Sequence, residues 1–460
     1  MSETPIKAAV QAARAYFNAG HTLDVSARLD ALARLEETVT RRQADILAAL
    51  KQDLNKSPYE SFMAEVGLVL GEISLARRKL RRWAKPQPCR PSLAQFPASA
   101  RVYKQPYGLV LVMSPWNYPF QLTMNPLIGA VAAGNCAIVK PSAYAPATSQ
   151  VMADLCEAAF DPGHVRVIQG GREENSALLE EKFDYIFFTG SPAVGHLVME
   201  KAAKHLTPMT LELGGKSPVI VDETADLTLA ARRILFGKLI NAGQTCVAPD
   251  YVLAHHSIKE KLTQALTQEL SRMMPDEGYF RETYPKIINQ KHFERLLGLL
   301  EGQRVLTGGK AHPDTRQISL ALVDAPDPGS PLMQEEIFGP ILPILGVENL
   351  QEAIAFVKGR PHPLALYLFT TSAQVEAQII SQLHFGGGCV NDTVLHLAGA
   401  HLPFGGVGES GMGRYHGKTS FDTFTHHKSV LKKWRSFDLP LRYHPYKDGK
   451  KPLPGWLLKH

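Results

Sequence analysis

One sequence feature constrains the fold of this chain most. Between residues 107 and 203, short apolar segments alternate with segments of helical length. The apolar segments are YGLVLVM, CAIVKP, HVRVIQGG and DYIFFTG. Because a parallel strand can be reached only through a crossover connection, this alternation indicates βαβ units. The sequence therefore predicts a doubly wound α/β domain with helices on both faces of a parallel sheet.

The alternation restarts in the second half of the chain, with apolar runs such as YVLAH, PILPILGV and LALYLF between helical segments. This pattern predicts a second α/β domain. Near the start, apolar residues at helical spacing predict one helix over residues 26–53 and another over 61–83. The proline-rich segment 85–97 marks a boundary or an extended arm, and the glycine-rich segments 385–392 and 402–418 are expected to form loops.

Composition and charge argue against several classes of protein. The net charge of the 460-residue chain is +6, with Lys and Arg dispersed, which favours a solvated surface over a nucleic-acid-binding face. Five cysteines at irregular spacing, with no CxxC pair, indicate neither a disulfide framework nor a zinc site and favour a reducing compartment. The sequence shows no signal peptide and no run of roughly 20 apolar residues that could span a membrane. We therefore expect a soluble, cytoplasmic protein.

Two residues whose side chains could take part in catalysis, Glu212 and Cys246, are separated by one predicted helix. Cys246 lies in AGQTCVAP, a turn in which a thiol could act as a nucleophile; the alternative is a small buried hydrophobic residue. Glu212 lies in the apolar strand TLEL, where burial would raise the pKa of its carboxyl toward that of a useful general base; the alternative is a glutamate facing solvent. Spacing alone leaves both alternatives open.

Three further polar segments follow predicted strands. In FTGSPAVG, Gly190 ends a strand, Ser191 can cap the next helix and Gly195 permits close packing, so the helix start could bind phosphate, although most such turns bind nothing. Lys140 leaves a strand at the sheet edge where open α/β folds bind ligands. Asn117, between two prolines, could donate to a developing oxyanion or be an ordinary turn residue.

Taken together, these motifs resemble those of the NAD(P)-dependent aldehyde dehydrogenase superfamily. The shared segments cover nearly the whole chain in order: PWNYPF, GNCAIVKPS, FTGSPAVG, LELGGKSP, GQTCVAPDY, QEEIFGP and PFGGVGESGMGRYHGKTS. HLTPMTLELGGKSP, APDY and GMGRYHGK are most similar to class 3, the branch of fatty and aromatic aldehyde dehydrogenases. The resemblance implies that Cys246 is the nucleophile, that Glu212 activates the deacylating water, and that Asn117 and the Cys246 backbone N–H bind the oxyanion.

The resemblance also implies a site for NAD or NADP and no metal. The residues implied for the cofactor are Lys140 at a ribose hydroxyl, Gly190 and Ser191 at the pyrophosphate with Gly195 in the same turn, Glu336 and Phe338 at the nicotinamide ribose, and Trp116 near the cofactor. One departure concerns Ala143 in KPSAYAP, where members that prefer NAD usually have a glutamate. Without that carboxylate a 2′-phosphate meets less repulsion, so we expect NADP to be used as well as NAD.

The implied reaction is oxidation of an aldehyde to a carboxylic acid through a cysteine thiohemiacetal and a thioester. Three alternatives remain at this stage: a CoA-acylating dehydrogenase, a non-catalytic scaffold and a thiol esterase. The presence of Glu212 favours hydrolysis over transfer to CoA. For the substrate site the resemblance and aromatic character imply Tyr118, Phe236, Phe404 and His416, and hence medium-chain aliphatic or aromatic aldehydes; His416 could instead be structural.

The domain organisation that we predict has four parts. They are a Rossmann-like dinucleotide-binding domain (1–83 and 107–214), a catalytic domain (215–404), an oligomerisation arm (84–106 and 425–434) and a C-terminal tail (435–460). In the family the arm packs against a C-terminal strand of a partner, which implies a homodimer. The tail ends PLPGWLLKH, without the apolar helix by which some fatty-aldehyde members anchor in membranes, so no membrane anchor is expected.

Overall fold

A computed structural model describes residues 5–438 and 442–445 of the chain. Its helices are α1 Pro5–Asn18, α2 Val25–Arg41, α3 Gln43–Leu54, α4 Pro58–Ser61, α5 Gly67–Trp83, α6 Gln121–Ala133, α7 Pro146–Ala159, α8 Arg172–Glu180, α9 Pro192–Ala203, α10 Leu227–Leu239, α11 Lys259–Met273, α12 Glu277–Thr283, α13 Gln290–Leu300, α14 Pro331–Gln334, α15 Leu350–Lys358, α16 Ala373–Gln382 and α17 Lys418–Thr423. Within the described residues, no helix combines the length and the apolar character that crossing a membrane requires.

The strands form two large sheets and two small ones. They are β1 Gln87–Cys89, β2 Ala98–Pro106, β3 Leu109–Met113, β4 Cys136–Lys140, β5 Val165–Val167, β6 Tyr185–Thr189, β7 Met209–Glu212, β8 Pro218–Val221, β9 Tyr251–His255, β10 Val305–Thr307, β11 Ala311–His312, β12 Gln317–Ile318, β13 Ala321–Asp324, β14 Ile341–Val347, β15 Ala365–Phe369, β16 Gly387–Val390, β17 Gly411–Met412 and β18 Thr425–Lys433.

The first large sheet has the strand order β17-β7-β6-β3-β4-β5 and is parallel except for β17. Alternate residues of β3 enter different cores: Val110 and Val112 pack into one, Leu109 and Leu111 into the other. Both faces are therefore covered, and the predicted doubly wound α/β fold is confirmed. The chain crosses from β5 back past β3 to β6, which creates a crevice at the carboxyl ends of the central strands, where such folds bind ligands.

The second large sheet has the order β10-β13-β14-β9-β8-β15-β16 and is parallel except for β10. It too is covered on both faces, since Val219 and Ile220 of β8 pack into different cores. The chain thus contains the predicted second α/β unit, a sheet covered on both faces. The boundaries of the two domains stay a prediction, and β17 joins the first sheet from outside the ranges assigned to the dinucleotide-binding domain.

Three local predictions were wrong; one concerns the glycine-rich segment 402–418, expected to be a loop, which contains the short strand β17. The single helix expected over 26–53 is two helices, because the backbone leaves the helical conformation at Arg42 (φ −99°, ψ 21°) and the Arg42 guanidinium bonds to Asp45 and Asp154. The glycine-rich segment 385–392, expected to be a loop, contains the edge strand β16. Glycine suits this strand, because a Cβ at Gly388 would lie 2.1 Å from the Leu366 carbonyl oxygen of the neighbouring strand.

The predicted arm is a three-stranded antiparallel sheet of β1, β2 and β18. Within this chain β18 pairs with β2, with Thr425 opposite Pro106 and Lys433 opposite Ala98. Packing of the arm against a C-terminal strand of a partner stays a prediction. The homodimer stays a prediction, and residues 439–441 and 446–460 of the predicted tail lie outside the described residues.

Candidate active site

A cleft of about 670 Å³ opens at the carboxyl ends of β3, β4, β6 and β7, between the two large sheets. It brings together all three predicted catalytic residues and six of the predicted cofactor residues: Asn117, Glu212, Cys246, Trp116, Lys140, Gly190, Ser191, Glu336 and Phe338. Gly195, the remaining cofactor residue, is one turn into α9, outside the cleft lining. A Cβ there would lie 2.8 Å from the Leu213 side chain, so its part in the structure is close packing.

The turn before α9 differs from its prediction in two details. Ser191 occupies the N-cap position, but within the described chain its side chain makes no capping hydrogen bond. The Gly190 N–H donates to the Glu212 carbonyl oxygen (3.0 Å), so it ties β6 to β7 instead of facing a ligand. The first-turn N–H groups of α9 lie at the cleft, where a helix start attracts phosphate.

Lys140 is fixed by the backbone at the end of β4. Its Nζ donates to the carbonyl oxygens of Pro141 and Gly170, both at 2.7 Å. Burial lowers the pKa of this ammonium to about 8, against the opposing effect of Glu174. The group is therefore still mostly cationic at neutral pH, and Ala143 lies in the same wall of the cleft.

Glu336 reaches across the cleft to the glycine pair that follows β7. A Cβ at Gly214 would lie 2.0 Å from the Glu336 Oε2, so only glycine leaves room for the carboxyl group. Burial raises the pKa of Glu336 to about 8, reinforced by Asp250 and opposed by the Gly215 backbone. Phe338 packs edge-on against Trp116, with ring centroids 5.4 Å apart.

Cys246 lies where the cleft meets a second cavity, and its side chain lines both. The preceding turn holds Asn241 and Ala242 in the left-handed region (φ 51° and 52°), an uncommon conformation for residues with a Cβ. Burial raises the pKa of the Cys246 thiol, and the carboxyl groups of Glu336 and Glu212 raise it further. The backbone N–H groups of Cys246 and Val247 act in the opposite direction.

Glu212 ends β7 and projects into the same cleft. Its side chain is 2% exposed, which excludes the alternative of a glutamate facing solvent. Among the described residues, neither carboxyl oxygen has a hydrogen-bond partner. Burial therefore raises the pKa of Glu212 well above its usual value. A shift in this direction suits a general base that works near neutral pH.

Asn117 is held beside Cys246 by a buried polar network. Its side-chain Nδ2 donates to the Gln244 backbone carbonyl oxygen (3.0 Å), and the backbone carbonyl oxygen of Asn117 accepts from Lys56 Nζ and Asn241 Nδ2, both at 2.8 Å. An Asn side-chain amide has two N–H donors, so this bond leaves one of them unused in a residue that lines the cleft.

A buried ion pair that the sequence reasoning missed supports this loop. Lys56 and Glu65 are fully buried and lie 2.5 Å apart, and the other Glu65 oxygen accepts from the Phe120 and Gln121 N–H groups. Breaking such a pair costs about 3–5 kcal/mol, because one charge is left buried and unpaired. The signal was a charged residue, Glu65, on a helix face that is otherwise apolar.

The second cavity, which we call the apolar cavity, has a volume of about 120 Å³. All four predicted substrate residues line it: Tyr118, Phe236, Phe404 and His416. The Tyr118 hydroxyl is bonded to Thr245 Oγ1 (2.7 Å), so it presents little polarity to the cavity. Cys246 at one end and apolar walls elsewhere suit a hydrophobic molecule with one reactive group.

The parallel sheet has a large cleft at its carboxyl edge, and a thiol lies between that cleft and an apolar cavity. This arrangement fits a dinucleotide-dependent oxidoreductase. Comparison with known proteins makes the class specific. The chain matches the sequence profile of the aldehyde dehydrogenase family over residues 1–430. It belongs to that family and is an enzyme that oxidises aldehydes with NAD(P).

Named relatives extend over almost the full chain. It is 48% identical over 436 residues to the 4,4′-diaponeurosporen-aldehyde dehydrogenase of Staphylococcus aureus, covering 94% of this chain and 95% of the relative. It is 47% identical over 428 residues to human aldehyde dehydrogenase family 3 member B1, covering 93% and 91%. The resemblance to class 3 is thus confirmed.

Solved structures agree with this assignment. The substrate-bound state of Staphylococcus aureus AldH superposes with a TM-score of 0.95 at 46% identity, covering 97% of this chain and 98% of that one. A Mycobacterium tuberculosis aldehyde dehydrogenase complexed with NAD+ gives a TM-score of 0.84 at 28% identity, covering 96% and 91%. The fold predicted from the sequence is that of these enzymes.

Proposed function

We propose that Cys246, Glu212 and Asn117 carry out the oxidation, and that the substrate is an apolar aldehyde. The observation that carries this proposal is the position of Cys246, which lines both the cleft and the apolar cavity. An aldehyde whose chain lies in the apolar cavity presents its carbonyl carbon to the thiol. The opposite side of that carbon faces the cleft.

In the first step the Cys246 thiolate adds to the carbonyl carbon and forms a thiohemiacetal. The developing oxyanion accepts hydrogen bonds from the free Asn117 Nδ2–H and the Cys246 backbone N–H. Donors fixed in advance in this way contribute roughly 3 kcal/mol each in comparable sites. The Lys56–Glu65 pair and Asn241 fix the Asn117 loop, so the donor does not have to reorganise during the reaction.

The cleft fits NAD(P) in its lining and in its chemistry. We assign the adenosine ribose to Lys140, the pyrophosphate to the first turn of α9 at Ser191, and the nicotinamide ribose to Glu336 beside Phe338 and Trp116. The Thr189 hydroxyl is buried at the end of β6 without a hydrogen-bond partner among the described residues, and it supplies one more polar group to the cleft wall. When bound, the cofactor accepts the hydride that the thiohemiacetal loses on becoming a thioester.

Glu212 completes the cycle. Its carboxylate takes a proton from water as that water attacks the thioester carbonyl, which releases the acid and regenerates Cys246. A buried carboxylate without a hydrogen-bond partner is a stronger base than a solvated one, because burial penalises its charged form. This favours hydrolysis over transfer of the acyl group to CoA.

Chain-length dependence tests the substrate proposal. We expect kcat/KM to rise by about fourfold for each added methylene until the apolar cavity is filled, the factor that follows from about 0.8 kcal/mol per buried CH₂. Initial rates of NAD(P)H formation would be measured with a series of n-alkanals, with benzaldehyde as the aromatic member and glyceraldehyde as the small polar comparison. Equal kcat/KM along the series, or a preference for glyceraldehyde, would contradict an apolar substrate.

Cofactor choice is tested at Ala143. The wild type is expected to use both NADP and NAD, and Ala143→Glu is expected to raise KM for NADP by about fivefold while KM for NAD changes little. The reason is that a carboxylate near the 2′-phosphate adds a repulsion of order 1 kcal/mol in a solvated site. Ala143→Gln, of the same size without the charge, is the control. A wild type that strongly prefers NAD, or an Ala143→Glu variant with unchanged KM for NADP, would refute the prediction.

A further inference from the structure

A third cavity, of about 280 Å³, adjoins the apolar cavity; we call it the distal polar cavity. Leu397 and His416 belong to the walls of both. On the far side of His416 the lining becomes polar, with Asn125 of α6 and with Glu72 and Arg78 of α5. The two neighbouring cavities thus differ in character: the one at Cys246 is mostly apolar, and the one beyond His416 has polar side chains in its wall.

Two buried polar atoms in this wall have no hydrogen-bond partner among the described residues: Asn125 Oδ1 and His416 Nε2. The two residues are only 4% and 5% exposed. Leaving such an atom unpaired costs about 1–3 kcal/mol, so a group that donates a hydrogen bond gains more here than on a surface.

The surroundings of His416 hold its ring in place, in a position where it could accept a hydrogen bond from a ligand. Its backbone has φ 85°, an uncommon value for a residue with a side chain, and its ring stacks on Phe404 with centroids 5.5 Å apart. Burial lowers the pKa of the imidazole to about 4, so the ring is neutral at physiological pH and its unpartnered nitrogen can accept a hydrogen bond.

The charges around the distal polar cavity disfavour an ionic ligand. Glu72 is buried in the wall, where its carboxyl accepts from the Gly417 N–H (2.6 Å) and burial raises its pKa to about 7. An anion would meet this carboxyl group. Exposed Arg78 lies at the rim with His401, and its guanidinium opposes the entry of a cation. A neutral donor suits both the unpaired acceptors and the mixed charges.

We propose that the distal polar cavity binds a hydroxyl group at the end of the substrate remote from the aldehyde. The enzyme would then act on hydroxylated long-chain aldehydes, with the carbonyl at Cys246, the apolar chain in the apolar cavity, and the hydroxyl donating to Asn125 or His416. This inference rests on the proposed function, since it assumes that the chain of the aldehyde enters at Cys246.

The test compares kcat/KM for ω-hydroxyalkanals with kcat/KM for n-alkanals of equal length in the wild type. At the length that reaches the distal polar cavity, the hydroxyl is expected to raise kcat/KM by about tenfold, the factor for one hydrogen bond of about 1.4 kcal/mol. In Asn125→Leu this ratio is expected to fall toward that of the shorter aldehydes. Asn18→Leu, the same substitution at the exposed end of α1, is expected to keep the wild-type ratio.

Several outcomes would overturn the proposal. If the hydroxyl does not raise kcat/KM at any chain length in the wild type, the proposal is refuted. This comparison needs no variant, so it does not depend on whether Asn125→Leu folds. A larger gain from an ω-carboxylate or an ω-ammonium group, measured in parallel, would assign the cavity to an ion instead. If n-alkanals themselves are not oxidised, the proposed function fails and this proposal falls with it; normal turnover of n-alkanals with no hydroxyl effect contradicts this proposal alone.

Discussion

Replacement of Cys246 by alanine is expected to abolish aldehyde-dependent formation of NAD(P)H, with kcat at least roughly 10⁴-fold below that of the wild type. The reason is that no other described thiol lies at the junction of the cleft and the apolar cavity. Without the thiohemiacetal, a hydrated aldehyde would have to lose its hydride directly. Steady-state absorbance of the reduced nicotinamide measures the loss.

The matched control is Cys89→Ala, in the arm, where the thiol is exposed. It is expected to retain wild-type kcat and KM, and both variants are expected to unfold within a few degrees of the wild type. A scaffold that retains the fold without catalysis would give no NAD(P)H in any of the three proteins. Substantial turnover by Cys246→Ala would exclude this cysteine as the nucleophile.

Glu212→Gln is expected to separate acylation from hydrolysis. The variant should release about one NAD(P)H per active site in a rapid burst and then turn over about 10²–10⁴-fold more slowly than the wild type, the range for loss of a general base. Gln has nearly the shape of Glu, but it cannot take the proton of the attacking water. Rapid-mixing absorbance resolves the burst from the steady state.

The pH dependence follows from the environment of Glu212. Burial raises its carboxyl pKa, and only the deprotonated form is a base, so wild-type hydrolysis should increase as pH rises through that raised value. Glu212→Gln should lose this dependence. The exposed Glu157→Gln on α7 is the control and should keep the wild-type profile.

Transfer of the acyl group to CoA instead of to water would identify the CoA-acylating alternative. If added CoA thiol accelerated turnover of the wild type and gave the acyl-CoA, hydrolysis by Glu212 would not be the main route. A Glu212→Gln variant with unchanged steady-state rate and no burst would also contradict the role that we assign to this carboxyl group.

Most of the architecture could be predicted because the buried strands are short and mostly apolar. In β3 and β4 every residue is buried, so neither strand needs information from distant parts of the chain to be recognised. The break at Arg42 could not be foreseen in this way, because its side chain bonds to Asp154, more than a hundred residues away. The same is true of β16, which begins with two glycines and whose pairing depends on the neighbouring strand β15.

Some residues of the site could likewise be predicted from the sequence, and others could not. Glu212 and Cys246 stood out because each is a reactive residue in an apolar or turn context, and both prove to face one cleft. Glu336 was identified only through the resemblance, because its importance comes from the space that Gly214 leaves for it, 122 residues earlier in the chain. Lys56 and Glu65 were missed, since Glu65 is marked only as a charge on an otherwise apolar helix face and its partner Lys56, in the loop before α4, is not identifiable until that loop is folded.

The central claim is that the aldehyde becomes bonded to Cys246 and is released by Glu212. It is tested most directly by mixing Glu212→Gln with NAD and a medium-chain aldehyde, quenching in acid after a single turnover, and mapping the peptides by mass spectrometry. The account predicts an acyl group in thioester linkage on the peptide that contains Cys246, at close to one equivalent per chain. An acyl group on Cys389 or another residue, or NADH formed without any acyl-enzyme, would contradict it.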